Sequence, residues 1–304
     1  SDSKRGETVD SVWQYHKYSG YYKALTPYGK IRDIHDFTMK AQLANYDQYR
    51  ALMEGFSAHM WEWYTGSIIW KTQNPWTAMR GQMYDYYLDP NACLFGLRKG
   101  SEPVHVMCSP ESKEISIVNN SFEPISDLML VATYYDMEGK AQKLQQIFTY
   151  LDATTVSKIS SMKSKLDKLL SDKGGFFYLQ LMNVQQETIS DNLYWFPNAK
   201  GEYAGLKEMK RAKVIYHAQQ LAEGKVKLTI FNPQESPVAF FNRVALIDKK
   251  TGKRILPAFY DDNYVSILPG TTKTILVDYH AEPGQKLEAT ILGWNVDKQK
   301  ITVQ

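Results

Sequence analysis

The residues best suited to chemistry in this chain are aromatic. Trp70 closes the short run Thr65-Gly66-Ser67-Ile68-Ile69-Trp70 and is followed within six residues by Gln73, Asn74 and Trp76. Sugars present flat C–H faces that stack on tryptophan and tyrosine, and their hydroxyls need amide, carboxylate or imidazole partners nearby. A tryptophan at the end of a strand, with amides in the next loop, suits that task, because in α/β barrels the C-terminal strand ends carry the site. The bland alternative is that these rings fill a core or a seam between domains. Eleven of the 21 Tyr and five of the 7 Trp precede Glu102, so either reading concerns mainly the first third of the chain.

Other chemistries lack their residues. No glycine-rich phosphate loop follows a strand, and neither HExxH, CxxC nor a G-x-S-x-G elbow is present. His16, His35, His59, His105, His217 and His280 are scattered, none at ligand spacing from another, so neither a metal nor any other cofactor is expected. Cys93 and Cys108 cannot form a disulfide framework; one bridge or two buried free thiols remain, and the thiols are favoured. A net charge of +3 gives no basic footprint for nucleic acid. No apolar run approaches the ~18 residues of a membrane span. Ser1 to Asp10 is polar, without the apolar core of a signal peptide.

The elements that must position Trp70 follow from periodicity. From Met39, apolar residues recur at Leu43, Tyr46, Tyr49, Leu52 or Met53, Phe56 and Met60, which predicts an amphipathic helix over 37–60 with Asp36 as N-cap. Thr65–Trp70, apolar and partly β-branched, predicts a buried, parallel strand. Asp89-Pro90 and Gly100 bracket a second, shorter helix over 90–99. Helix, buried strand, loop and helix is α/β grammar, too short for a complete sheet.

From Pro103 the period changes to two. Val104/Val106, Ile115/Ile117, Leu128 to Tyr134, Phe177/Leu179/Leu181 and Ile189 to Trp195 predict strands, with a hairpin turn at Glu138-Gly139. Ser160–Leu170 is a helix or a polar loop. After the polar stretch Pro197–Tyr203, Val226/Leu228/Ile230, Ile275/Val277/Tyr279 and Leu287/Ala289/Ile291 alternate again, with turns at Thr251-Gly252, Pro269-Gly270 and Pro283-Gly284. Such strands and turns argue β-sandwiches of about a hundred residues. Asp261-Asp262-Asn263-Tyr264 is either a turn that caps its own backbone or a polar loop folded back toward the sugar site.

Several stretches resemble glycoside hydrolase family 2. Lys40 to Tyr46, Tyr49 to Glu54, Thr65 to Trp70 and Asn74-Pro75-Trp76 are similar to the last catalytic-barrel strand and the helix before it. Tyr84 to Pro90 and Glu102-Pro103-Val104-His105 continue the likeness out of the barrel. Asp191-Asn192-Leu193-Tyr194-Trp195, Leu256 to Gly270 and Gly293-Trp294-Asn295 resemble the last two domains of exo-β-D-glucosaminidases, with β-mannosidase-like members sharing much of the architecture.

This resemblance implies a multidomain, mainly β chain. Residues 1–101 would be the C-terminal remnant of a (β/α)8 barrel, and 102–205 and 206–304 two immunoglobulin-like sandwiches. It implies a carbohydrate substrate, with Trp70 at the floor of the sugar site, Asn74 in the following loop, and Trp13 and His16 in a loop near the substrate. Both carboxylates of the family's retaining mechanism would lie upstream of Ser1, so no catalytic residue is expected in this chain and the upstream barrel becomes its partner. The open barrel face would lean on the first sandwich or on a second copy of the chain in a homodimer. A periplasmic or extracellular location is also implied. The competing class is a non-catalytic carbohydrate-binding or structural β-sandwich protein.

Overall fold

The computed structural model describes residues 23–62, 65–77, 82–282 and 284–304. Trp13 and His16 lie outside them. After a 3-10 turn at Thr26–Tyr28, helix α1 runs Ile34–Ser57 and helix α2 runs Ala92–Gly100. The N-cap of α1 is Asp33, whose carboxylate accepts the Asp36 amide at 2.8 Å. Asp36, the expected cap, instead holds Lys40 at 2.7 Å and Arg32 at 3.0 Å. For α2 the cap position is Asn91 rather than Asp89. Its first amide, on Ala92, donates to the Gln42 side chain of α1 at 2.8 Å, so one helix caps the other. Gly100 is the last helical residue instead of the stop.

The expected buried strand at Thr65–Trp70 is absent. Those residues carry no ladder hydrogen bonds, and Ile68 is 99% exposed. A parallel strand exists only beside partners that satisfy its N–H and C=O groups, and none lies beside this segment among the described residues.

All the strand pairs are antiparallel. One sheet, in the order β1-β2-β5, consists of Val104–Cys108, Glu114–Asn119 and Thr155–Ser161. It faces a second, β4-β3-β6-β7, made of Ala141–Leu151, Ile125–Tyr135, Gly175–Met182 and Thr188–Phe196. Between them lies a core that includes Val106, Ile117, Leu130, Leu179 and Leu181. Helix α3, Lys163–Leu170, adds Leu166 and Leu170 to it, resolving the 160–170 ambiguity toward helix. The β3–β4 hairpin turns at Gly139, at φ 89°, as Glu138-Gly139 predicts.

After the short helix α4, Ala204–Glu208, come β8 Ile215–Ala222, β9 Lys225–Phe231, β10 Ala239–Asp248, β11 Ala258–Tyr260, β12 Val265–Ile267, β13 Thr272–Tyr279, β14 Leu287–Leu292 and β15 Gln299–Thr302. They form sheets of order β11-β13-β9-β8 and β12-β10-β14-β15. The alternation at Val226, Leu228 and Ile230 survives as buried inner positions, paired through register Val226↔Val277 and Leu228↔Ile275. The fold is mainly β and multi-sheet.

A third core belongs to neither sandwich. Tyr28, Leu43 and Phe95 from the helical region meet Phe176 and Trp195 from the first sandwich and Phe240, Phe241 and Tyr264 from the last. Trp195 lies 5.2 Å from Phe240, edge-on, and its indole N–H donates to the Tyr28 hydroxyl at 3.1 Å. Tyr28 stacks on Tyr203 at 4.3 Å. The aromatic density of the first third therefore divides, with Tyr28 and Tyr46 in this seam and Trp70 and Trp76 on the surface.

Candidate functional site

The Trp70 region hangs from the two helices by a few bonds. The Ser67 hydroxyl meets the Met53 sulfur of α1 at 3.9 Å, and the Tyr84 amide donates to the Thr72 carbonyl at 3.1 Å. Tyr84 bridges Pro90 just ahead of α2, and Asn91 bonds back to Met83 and Gln82. Asp85 accepts the amides of Tyr87 and Asp89, which closes the turn bearing Tyr86 and Tyr87. The described parts of this region put Trp61, Trp70, Trp76, Tyr86 and Tyr87 on the surface, with Trp70 90% exposed. The Lys71 ammonium sits 5.1 Å from the Trp76 ring centre. Asn74 is buried beneath the loop rather than displayed beside Trp70. Exposed rings of this kind can stack a sugar face. They hold no acid and base pair.

Sequence reasoning missed a dense, buried polar cluster that lies under α1 and α2. Arg50, 2% exposed, donates from one terminal nitrogen to Asn192 Oδ1 at 3.0 Å and to the Leu193 carbonyl at 2.6 Å. Its other terminal nitrogen pairs with Asp47 at 2.6 Å, and its guanidinium carbon lies 4.3 Å from the Tyr194 ring centre. One turn on, Glu54 Oε1 accepts from Tyr194 Oη at 2.8 Å and Asn192 Nδ2 at 2.7 Å, and meets His105 Nε2 at 3.0 Å. The other ring nitrogen of His105 faces Glu102 at 3.1 Å. Glu102 also takes Lys99 at 2.7 Å and the Ser190 hydroxyl at 3.1 Å.

Burial opposes charge on His105, but its hydrogen bonds to Glu102 and Glu54 outweigh that and raise its pKa. Burial likewise works against the Glu102 carboxylate, and the bonds from His105 and Lys99 hold its pKa below the ordinary value. Both ring nitrogens of His105 thus face carboxylates, which favour its charged form against the cost of burial. Two carboxylates beside a histidine could serve acid–base work, but His105 is 1% and Glu54 6% exposed, so a substrate does not reach their contact. The cluster ties the helices to β1 and β7. Its sequence signal was that Tyr49–Glu54, Glu102–His105 and Asp191–Trp195 are three of the stretches that carry the family resemblance.

The Asp261–Tyr264 loop is a capping turn. Asn263 accepts the Val244 amide at 2.8 Å and donates to the Val244 carbonyl at 2.9 Å. Asp261 accepts the Leu276 amide, Asp262 pairs with Lys273 at 2.6 Å, and Arg98 of α2 donates to the Asp261 carbonyl. These side chains are committed to local structure. Cys93 and Cys108 are free, buried thiols, each pushed by burial up to about 12. Among the described residues no group of His, Cys, Asp or Glu could hold a metal ion, and no helix is long and apolar enough to cross a membrane.

Comparison with known proteins places this architecture. Residues 192–296, from β7 through the loop after β14, match the family described as the exo-β-D-glucosaminidase Ig-fold domain. The chain carries that domain. The whole chain is also 29% identical, over 372 aligned positions, to 39% of the mannosylglycoprotein endo-β-mannosidase of Lilium longiflorum. Over 96% of its length it is 28% identical to 32% of an exo-β-D-glucosaminidase of Amycolatopsis orientalis. In structure, 93% of the chain superposes on 36% of the exo-chitosanase CsxA of Amycolatopsis orientalis, with TM-score 0.77 and 23% identity. The chain thus spans about a third of the length of these relatives and corresponds to their C-terminal part.

Proposed function

We propose that this chain is the C-terminal part of a retaining β-glycoside hydrolase of the family 2 type, either exo-β-glucosaminidase-like or β-mannosidase-like. In this reading residues 1–101 finish a (β/α)8 barrel, and 102–205 and 206–304 are its immunoglobulin-like sandwiches. The upstream barrel strands bring the acid/base and nucleophile carboxylates, which retaining chemistry needs about 5–5.5 Å apart. Trp70 then stacks the sugar, Asn74 supports its loop from beneath, and Trp13 and His16 approach the substrate from a preceding loop. The family also suggests a periplasmic or extracellular setting.

The observation that carries this reading is the Thr65–Trp70 segment. It ends in the apolar run Ile68-Ile69-Trp70, yet Ile68 is 99% and Trp70 90% exposed, and no strand pairs with it among the described residues. A barrel strand whose neighbours come from upstream sequence has this appearance. The likeness to glycosidases, collinear across nearly the whole chain, supports the same conclusion.

The test compares the 304-residue chain with the protein extended by its upstream coding sequence, against aryl β-glucosaminide, β-mannoside and β-galactoside. The extended protein should turn over the glucosaminide or the mannoside, and the 304 residues alone none of them. Turnover by the short chain, abolished by changing one of its own carboxylates, would refute the proposal. An extended protein that binds these sugars without cleaving them would favour the non-catalytic reading.

A further inference from the structure

A cleft of about 810 Å³ is lined by none of the described residues of the Trp70 region. It lies between the N-terminal end of α1, the Leu206–Arg211 stretch and the loop that follows β14. Its walls hold five cations, Lys30, Arg32, Lys40, Lys207 and Arg211, against two carboxylates, Asp33 and Asp36. The cleft therefore carries an excess of three positive charges.

The two carboxylates are already engaged. Asp33 caps α1, and Asp36 takes Lys40 and Arg32. Arg211 is half-committed, at 3.4 Å from Asp297 and 3.3 Å from the Trp294 carbonyl. The unspent charge therefore falls on Lys30 and Lys207, both exposed and both lining the cleft. Gly29, at φ 88°, leaves room for one of them, because a Cβ there would strike Cε and Nζ of Lys207.

Trp294 lines the same cleft, partly exposed, its indole fixed by donation to the Leu206 carbonyl at 2.6 Å and its ring 6.3 Å from that of Tyr28. A fixed aromatic ring in a cleft that also carries two uncompensated ammonium groups suits a ring that bears a carboxylate. We infer that this cleft binds an acidic saccharide, with a hexuronate ring over Trp294 and its carboxylate between Lys30 and Lys207. A neutral sugar leaves the ammonium groups unused, and an amino sugar is repelled by them. The choice of a sugar over other anions rests on the glycosidase reading above, but the site shares no residue with the Trp70 loop and needs no turnover.

The test is calorimetry on the 304-residue chain at low salt with trigalacturonate as probe, followed in parallel by tryptophan fluorescence. Saturable binding is expected, with fluorescence quenching that disappears in Trp294→Phe. Lys30→Gln combined with Lys207→Gln should weaken binding at least tenfold. Lys168→Gln with Lys250→Gln, exposed and outside the cleft, should leave it unchanged. The glucose and glucosamine trimers should not bind. Equal affinity for the glucose trimer, or full affinity in the Lys30/Lys207 variant, would overturn the inference. Displacement by inorganic phosphate at the concentrations at which trigalacturonate itself binds would reduce the cleft to a general anion site and overturn the sugar assignment. Because the measurement is binding to this chain, its failure leaves the turnover test of the glycosidase reading untouched, and the reverse holds too.

Discussion

Arg50→Met should destabilise the fold more than any exposed substitution in the helical region. The arginine is buried, so its removal deletes charged hydrogen bonds to Asn192 and the Leu193 carbonyl and a cation–π contact with Tyr194. Breaking a buried ionic group by truncating one partner costs about 3–5 kcal/mol. The lower end applies here, for two reasons. Asp47 is 41% exposed and can rehydrate, and Glu54 keeps Asn192, Tyr194 and His105 as partners. Methionine also fills most of the vacated stem volume. A loss of about 3 kcal/mol, at roughly 2–4 °C per kcal/mol for a cooperative unit of this size, gives a fall in Tm of roughly 6–12 °C. Melts by circular dichroism at pH 7 measure it, with Arg50→Lys expected between the two because it keeps the charge and loses the fork. Combined with Glu54→Gln, the two losses should fall short of additivity by about 1 kcal/mol or more, since both side chains bond Asn192. A drop below about 2 °C for Arg50→Met would refute the idea that this cluster holds the helices to the sandwich.

The same cluster sets a pH dependence. His105 has a raised folded pKa, so its contribution is complete below its unfolded value of about 6.5 and is lost as pH climbs through the folded value. Glu102 is shifted down, so its contribution is present above about pH 4.3 and disappears as pH falls through the lowered value. Melts across pH should therefore show a plateau between, and His105→Gln should flatten the alkaline limb. Trp70→Ala should leave the Tm of this chain nearly unchanged, because the ring is 90% exposed, whereas a core tryptophan would cost about 3–5 kcal/mol; kcat/KM of the extended protein should fall sharply. Gly96→Ala should lower Tm despite alanine's better helix propensity, because a Cβ there meets the Tyr46 carbonyl carbon of α1 at 2.9 Å. Cys93 and Cys108 should resist a thiol reagent at pH 8 in the native state and react on unfolding; fast native labelling would contradict their burial.

How much of this was legible depended on whether a residue's partner was local. The alternation at Val226, Leu228 and Ile230 announces a strand because its two faces meet different surroundings, whichever strand lies beside it. The ends of the helices were displaced by a few residues, since Asp33 and Asp36 are both acceptable caps and only the bonds to Lys40 and Arg32 distinguish them. Thr65–Trp70 misled because apolar, β-branched composition indicates burial without saying what does the burying. The Arg50–Glu54 cluster was invisible for a related reason. An arginine and a glutamate four apart on a helix look like a solvated pair, whereas their partners His105 and Asn192 lie 51 and 138 residues from Glu54 along the chain. Neither the exposure of Trp70 nor the burial of Asn74 follows from local composition.

The third core has a consequence for how this region can be inherited. Leu43, Phe95, Trp195 and Phe240 come from segments that look like three separable units, yet they share one apolar seam. A cut in the polar stretch 197–203 would bare Trp195 on one piece and Phe240 on the other. The seams visible in the sequence are therefore poor places for exchange by recombination. An ancestor that swapped the last sandwich alone would have had to rebuild aromatic packing on two surfaces it did not acquire. The three segments should travel through evolution as a single cassette, with any shuffling at the ends of the unit and not at its internal joints.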